Sequence, residues 1–226
     1  MAHYLELELE HIKEKILEMA DCAIEALGRS IESLANSDMQ GAQSVIDGDE
    51  KLDRLEVDID DECIKVLVTK QPAAVDMRFV LAMLKINTDL ERIGDLATNI
   101  AKETIKFGGK PLIKPLVDIP RMAQIGTEMI KESFNSMMEK DAVKAKIVIS
   151  RDKEIDDLNM QIFRELFSFM AESPRSISQS LGLIMIAKAL ERIGDHATNI
   201  AERVIYYIEG VDIRGIEKRD DHCKDQ

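Results

Sequence analysis

Leu90-Glu91-Arg92-Ile93-Gly94-Asp95-Leu96-Ala97-Thr98-Asn99-Ile100-Ala101 returns 100 residues later as Leu190-Glu191-Arg192-Ile193-Gly194-Asp195-His196-Ala197-Thr198-Asn199-Ile200-Ala201. Eleven of the twelve positions are identical. A weaker echo lies upstream, where Asp49-Glu50-Lys51-Leu52-Asp53 resembles Asp152-Lys153-Glu154-Ile155-Asp156, and Met19-Ala20 matches Met122-Ala123 at the same offset of 103. Self-similarity at a fixed period marks a repeated structural unit. The chain is a tandem duplication, each half about 100 residues long.

Each half reads as three helices. Apolar residues recur at helical spacing from about Leu5 to Leu34. Ser37 with Gln40 has the pattern of a capping box opening a second helix. Val45, Leu52, Leu55, Ile59 and Val66 share one side of that helix, which must stop before Pro72. Pro72 or Asp76 opens a third, ending at Gly108-Gly109. The second half repeats the plan, with helices after Pro120, after Asp141 and after Pro174. Short connections make consecutive helices antiparallel neighbours. The expected fold is all-α: two tandem three-helix bundles related by internal duplication, six long antiparallel helices in all. The expected divisions are 1–108 for the first bundle, 109–118 for a linker holding Pro111 and Pro115, 119–210 for the second bundle, and a tail at 211–226, frayed from Glu217.

Composition narrows the function. Among 226 residues, 43 acids against 30 bases leave a net charge of -13. Such a surface repels phosphate backbones, so no nucleic-acid partner is expected. Cys22, Cys63 and Cys223 are far apart and read as reduced thiols. The start of the sequence has neither a basic nor an apolar leader segment, and no apolar run approaches the roughly 20 residues that span a bilayer. A cytoplasmic location is expected, with any membrane reached only through partners. There is no Gly-rich phosphate loop, nucleophile elbow or HExxH, so no enzyme is expected.

On a helix of 100° per residue, Leu90, Ile93, Ala97 and Ile100 form a core stripe. Glu91, Asp95 and Asn99 fall on roughly the opposite, outward side, and Glu191, Asp195 and Asn199 repeat the arrangement. On the preceding helices, Asp49 with Asp53 and Asp152 with Asp156 are each one turn apart. A solvated acidic face accounts for any single pair. Core packing alone does not preserve an outward set through a duplication, whereas a bound cation does. All-oxygen ligands suit hard ions, and the absence of nearby Cys disfavours a structural zinc. The expected cofactor is one or more divalent or trivalent ions on oxygen ligands, Fe, Mn, Mg or Zn. Arg92 and Arg192 balance the acids, and Gly94 and Gly194 allow a neighbouring helix to approach. His196, beside Asp195, reads as outside the ligand set, and Glu8-x-x-His11 occurs once only.

The sequence resembles the PhoU family of phosphate-uptake regulators. The resemblance rests on Asp-Leu-Glu-Arg-Ile-Gly-Asp at 89–95, its copy Ala-Leu-Glu-Arg-Ile-Gly-Asp at 189–195, and Gln71-Pro72-Ala73-Ala74-Val75-Asp76-Met77-Arg78. It covers the chain to about residue 210 and implies two three-helix bundles. It also implies metal clusters at Glu91 with Asp95 and Glu191 with Asp195, with Asp49, Asp53, Asp152 and Asp156 as a second acidic strip. It implies a homodimer that represses the phosphate-starvation response by contacting a sensor histidine kinase and the phosphate ABC transporter, with Asp76 and Arg78 as candidate partner contacts. The second half has Ser173-Pro174-Arg175-Ser176 in place of the Gln71–Arg78 segment, so the two bundles need not offer equivalent surfaces. Two rival readings are a carboxylate-bridged redox enzyme and a metal-independent helical scaffold.

Overall fold

The segment Ala74–Lys106 forms one helix, because its apolar residues recur at helical spacing without an internal Gly-Pro break. Leu90, Ile93, Ala97 and Ile100 are fully buried in it. The computed structural model describes residues 2–213; the expected frayed tail from Glu217, with Cys223, lies outside the described residues. In chain order the helices are α1 (Ala2–Asn36), α2 (Met39–Gly48), α3 (Glu50–Lys70), α4 (Ala74–Lys106), α5 (Asp118–Glu139), α6 (Ala142–Glu172) and α7 (Ile177–Glu209). A 3₁₀ turn, Pro174–Ser176, leads into α7. No strand occurs among the described residues.

Two three-helix bundles result, because α2 and α3 are nearly one rod. Their interruption at Asp49 departs from the single helix expected there. Asp49 keeps helical angles, but its N–H reaches Ile46 O at 3.4 Å and its own carbonyl accepts from Leu52 N at 2.8 Å, so the turn tightens. It follows Gly48, which leaves regular helix at little cost; the second half has Arg151 at the equivalent position, and α6 runs unbroken.

Helix starts also differ in detail. Ser37 is not the cap of α2: it adopts φ 53°, and the Asp38 carboxylate accepts from the N–H groups of Gln40 and Gly41. Asp141 caps α6 as expected. The α4 cap is Ala73, which places Asp76 inside the first turn, where its charge faces the helix dipole favourably. The helix expected after Pro120 already begins at Asp118.

One continuous core runs through both bundles. They join mainly through α4 against α7, with α1 touching α5. Phe79 and Tyr207 meet edge-to-face across this junction, ring centroids 5.4 Å apart. The segment between α4 and α5 is tied down by Gln179, which accepts from Ile113 N–H at 2.6 Å and donates to the Pro111 carbonyl at 3.2 Å.

The two helical glycines set helix spacing. A Cβ on Gly94 would stand 2.8 Å from Leu52 Cδ1, and one on Gly194 would stand 2.9 Å from Ile155 Cδ1 and 3.0 Å from Asp152 Oδ1. Gly194→Val should destabilise the protein by about 1–3 kcal/mol through overpacking, although Val favours helix over Gly by a few tenths of a kcal/mol. Thermal unfolding checks this; a melting temperature at or above that of the parent refutes a spacing role for Gly194.

Candidate functional site

Because Gly94 and Gly194 admit their neighbours so closely, the acids of consecutive helices share one groove in each half. Asp49 Oδ1 lies over Gly94, and Asp152 Oδ1 lies over Gly194. Glu91 and Glu191 are turned toward these neighbours, each with a side chain only 16% exposed, whereas Asp95 is 46% exposed. The glutamates are thus less outward than helical projection suggests. The reason is that α4 and α7 sit centrally and touch several helices each, which widens their buried arc beyond the core stripe.

Crowded carboxylates raise one another's pKa. Burial, then the Asp95 charge, pushes Glu91 up to about 7, with Glu56 and Asp53 adding and Arg92 opposing. Burial, Asp53 and Asp95 raise Asp49, while the Thr98 hydroxyl and Lys102 pull it down. In the second half, burial together with Asp156, Asp195 and Glu191 lifts Asp152 to about 6. Asp156 and Asp195 are raised by burial and by Glu191.

The grooves are compensated differently. Arg92 Nε approaches Glu91 Oε2 at 3.4 Å and its Nη1 reaches Asp95 Oδ2 at 3.2 Å, closing the first groove. In the second, Lys188 Nζ meets Glu191 Oε1 at 2.5 Å, and Glu191 Oε2 is buried with no hydrogen-bond partner. Glu56 also belongs to the first groove, its pKa raised by burial and by Asp60, Asp53 and Asp95. Its place one turn beyond Asp53 was a signal in the sequence; Asn159 stands at the equivalent second-half position, so the repeat did not point to it.

Other candidates fall elsewhere. Asn199 donates to Asp89 Oδ1 at 3.1 Å and His196 Nδ1 lies 2.8 Å from the same oxygen, so both serve a link between bundles. Asn99 lines a cleft between α4 and α7. Asp76 lines a cleft with Lys13, Lys140 and Tyr207. The Arg78 guanidinium packs on Gly210, at the end of α7, where a Cβ would meet Cζ at 3.4 Å. Glu8 pairs with Lys70 at 3.3 Å and His11 lies 3.4 Å from Glu62, so these two serve surface pairs. Burial pushes the Cys63 thiol up to about 12, which leaves it inert.

Among the described residues, no three Asp, Glu, His or Cys side chains converge as an ion-ready cluster. The donor chemistry nevertheless fits a hard cation: five acids line the first groove and four the second, Asp152 Oδ1 stands 3.0 Å from where a Cβ on Gly194 would lie, and Glu191 Oε2 is a buried oxygen with no hydrogen-bond partner.

Fold and grooves together define a duplicated helical-bundle protein with one acidic groove per half. The pattern of the PhoU domain family matches it twice, over residues 16–104 and 119–204. The chain belongs to the PhoU family. It is 41% identical over 203 residues to the phosphate-specific transport system accessory protein PhoU homolog of Aquifex aeolicus, covering 90% of this chain and 92% of that protein. The Rhizobium meliloti homolog is 37% identical over 215 residues, covering 95% and 91%. The crystal structure of PhoU from Pseudomonas aeruginosa superimposes with a TM-score of 0.87 at 34% identity, covering 91% of this chain and 99% of that one. The phosphate transport system regulatory protein PhoU from Streptococcus pneumoniae gives 0.85 at 25% identity, covering 92% and 98%. These relatives are named as accessory or regulatory proteins, not as enzymes.

Proposed function

We propose that this chain is a cytoplasmic, metal-binding regulator of phosphate uptake that represses the phosphate-starvation response while phosphate is plentiful. It acts as a homodimer, by contacting a sensor histidine kinase and the phosphate ABC transporter. The observation that carries the metal reading is the repetition of the acidic groove in both halves, including the orphaned Glu191 oxygen. The names of the relatives support the phosphate-transport role. No described helix is long and apolar enough to cross a membrane.

Asp49, Asp53, Glu91 and Asp95 would hold ions in the first groove, and Asp152, Asp156, Glu191 and Asp195 in the second. A bound ion supplies positive charge that cancels the repulsion among these acids. The protein's own contribution is the helix spacing that brings the two acidic strips together.

Elemental analysis of the purified protein tests this. The double variant Glu91→Ala, Asp95→Ala should lose roughly half its bound metal, because the second groove keeps its own oxygen ligands. Unchanged metal content removes these two residues from the site. The Arg92 bridge across Glu91 and Asp95 favours the rival scaffold reading, which predicts no stoichiometric metal in either protein.

A further inference from the structure

The duplication places two related grooves along the α4–α7 junction, and only one is closed. In the closed one, His196 and Asn199 of α7 meet Asp89 of α4. At the positions 100 residues away the first half has Leu96 for His196, and the second has Ala189 for Asp89. No polar bridge can form between Leu96 and Ala189, and an open cleft of about 430 Å³ lies there. Its floor is apolar, with Leu96, Ile100, Ile186 and Ala189. Its lips carry Lys102, Glu103 and Lys106 from α4 and Lys188 and Arg192 from α7, a set that stays net positive with Lys106 paired to Glu103 at 2.6 Å and Lys188 to Glu191 at 2.5 Å. Three of these four cations are also new relative to the related groove, where Glu202, Tyr206 and Thr88 stand in place of Lys102, Lys106 and Lys188.

An apolar stripe on α7 leads into the cleft: Ile177, Leu181 and Met185 are 41%, 50% and 58% exposed. They are spaced i, i+4, i+8, so they share one face over about 12 Å of helix. We infer that this cleft and stripe form a docking groove for an acidic amphipathic helix of a partner protein. The inference rests on the regulatory reading above and supplies the surface through which a partner would be engaged. A helix laid along α7 covers the stripe with its own i, i+4 apolar face and offers its acids to the cations on both lips. A small anion would use the cations and leave the stripe bare. The chain's net charge of -13 repels acidic partners over most of its surface, so this basic cleft steers such a helix to one place. Apolar anchors would supply most of the affinity, and the charges its register and encounter rate.

The test starts with the full chain in its own cells, carrying a photo-crosslinking residue in place of Leu181. The crosslinked segment is identified by mass spectrometry, and a synthetic peptide of that segment is titrated against the purified protein. A segment with an apolar face flanked by Asp and Glu is the expected result. Its affinity should fall about tenfold or more in Lys188→Glu, Arg192→Glu, the loss of about 1.4 kcal/mol or more that removal of paired interface charges brings. Lys102→Ala, Lys106→Ala should weaken it less, with helical content of both variants checked by circular dichroism. Crosslinking only to a second copy of this chain, to a segment without acidic residues, or to nothing overturns the inference. Saturable binding of pyrophosphate without a crosslinked peptide assigns the cleft to a small anion and also overturns it. These outcomes leave the regulatory reading intact, because that reading fails on the deletion phenotype whatever the cleft binds.

Discussion

Deleting the gene should turn on phosphate-starvation genes while external phosphate is abundant, to the level of phosphate-starved parent cells. This follows from the proposed role as a brake between transporter and sensor, since removing a repressor leaves the response without its off state. A starvation-gene reporter in high phosphate reads it directly. A normal phosphate response in the deletion strain moves the scaffold reading ahead. Complementation then separates surfaces. Asp76→Asn removes a charge from the first turn of α4 without removing the cap, which is Ala73. That change weakens the helix by about 0.3–1 kcal/mol and leaves the bundle folded. Failure of the folded Asp76→Asn protein to complement assigns Asp76 to a charged partner contact. Arg78 is a poorer probe, because its guanidinium packs on Gly210 at the end of α7 and its loss disturbs the bundle junction.

The repeat at 90–101 and 190–201 made the fold readable because a duplicated pattern reports each helix twice. Leu90, Ile93, Ala97 and Ile100 are fully buried, and so are Ile193, Ala197 and Ile200, as a 3.6-residue period requires. What remained hidden depends on contacts between helices. The break at Asp49 turns on Gly48 standing where the other half has Arg151, a local contrast that leaves the apolar period intact. Ser37 and Asp38 are both good caps, and only the backbone angle of Ser37 decides between them. Asn199 could not be separated from the acidic strip by its own helix, because the residue that claims it, Asp89, is 110 positions away, and a separation of 107 positions hid the partner of His196, which reads only as outside the ligand set. The acids Glu91 and Glu191 were placed on the right helices but too far outward, since projection of one helix does not know how many neighbours it has.

Those inward-turned acids give the second large expectation, a stability that falls with rising pH in metal-stripped protein. Glu91 titrates near 7 in the folded chain against an ordinary 4.5, and Asp152 near 6 against 3.8. Asp49, Glu56, Asp156 and Asp195 are raised as well. A carboxylate whose folded pKa is raised holds its proton more tightly folded than unfolded. Its contribution to stability is therefore fully present below the ordinary carboxylate range and is lost as pH rises through the folded value. Between pH 5 and pH 8 at constant ionic strength, the melting temperature of chelator-treated protein should fall by about 2–8 °C, the shift one or two kcal/mol produces in a chain of this size. Adding Mn²⁺ at pH 8 should reverse the fall, because an ion that binds only the folded grooves stabilises them by mass action. At pH 5 the same addition should do less, since one ligand of each groove, Glu91 and Asp152, already holds a proton that the ion must displace. In the quadruple variant Glu91→Gln, Asp95→Asn, Glu191→Gln, Asp195→Asn both the pH dependence and the Mn²⁺ effect should shrink together. A melting temperature that is flat or rising from pH 5 to pH 8 in the stripped parent contradicts charge repulsion in the grooves. An Mn²⁺ effect that survives intact in the quadruple variant places the ion elsewhere on the protein.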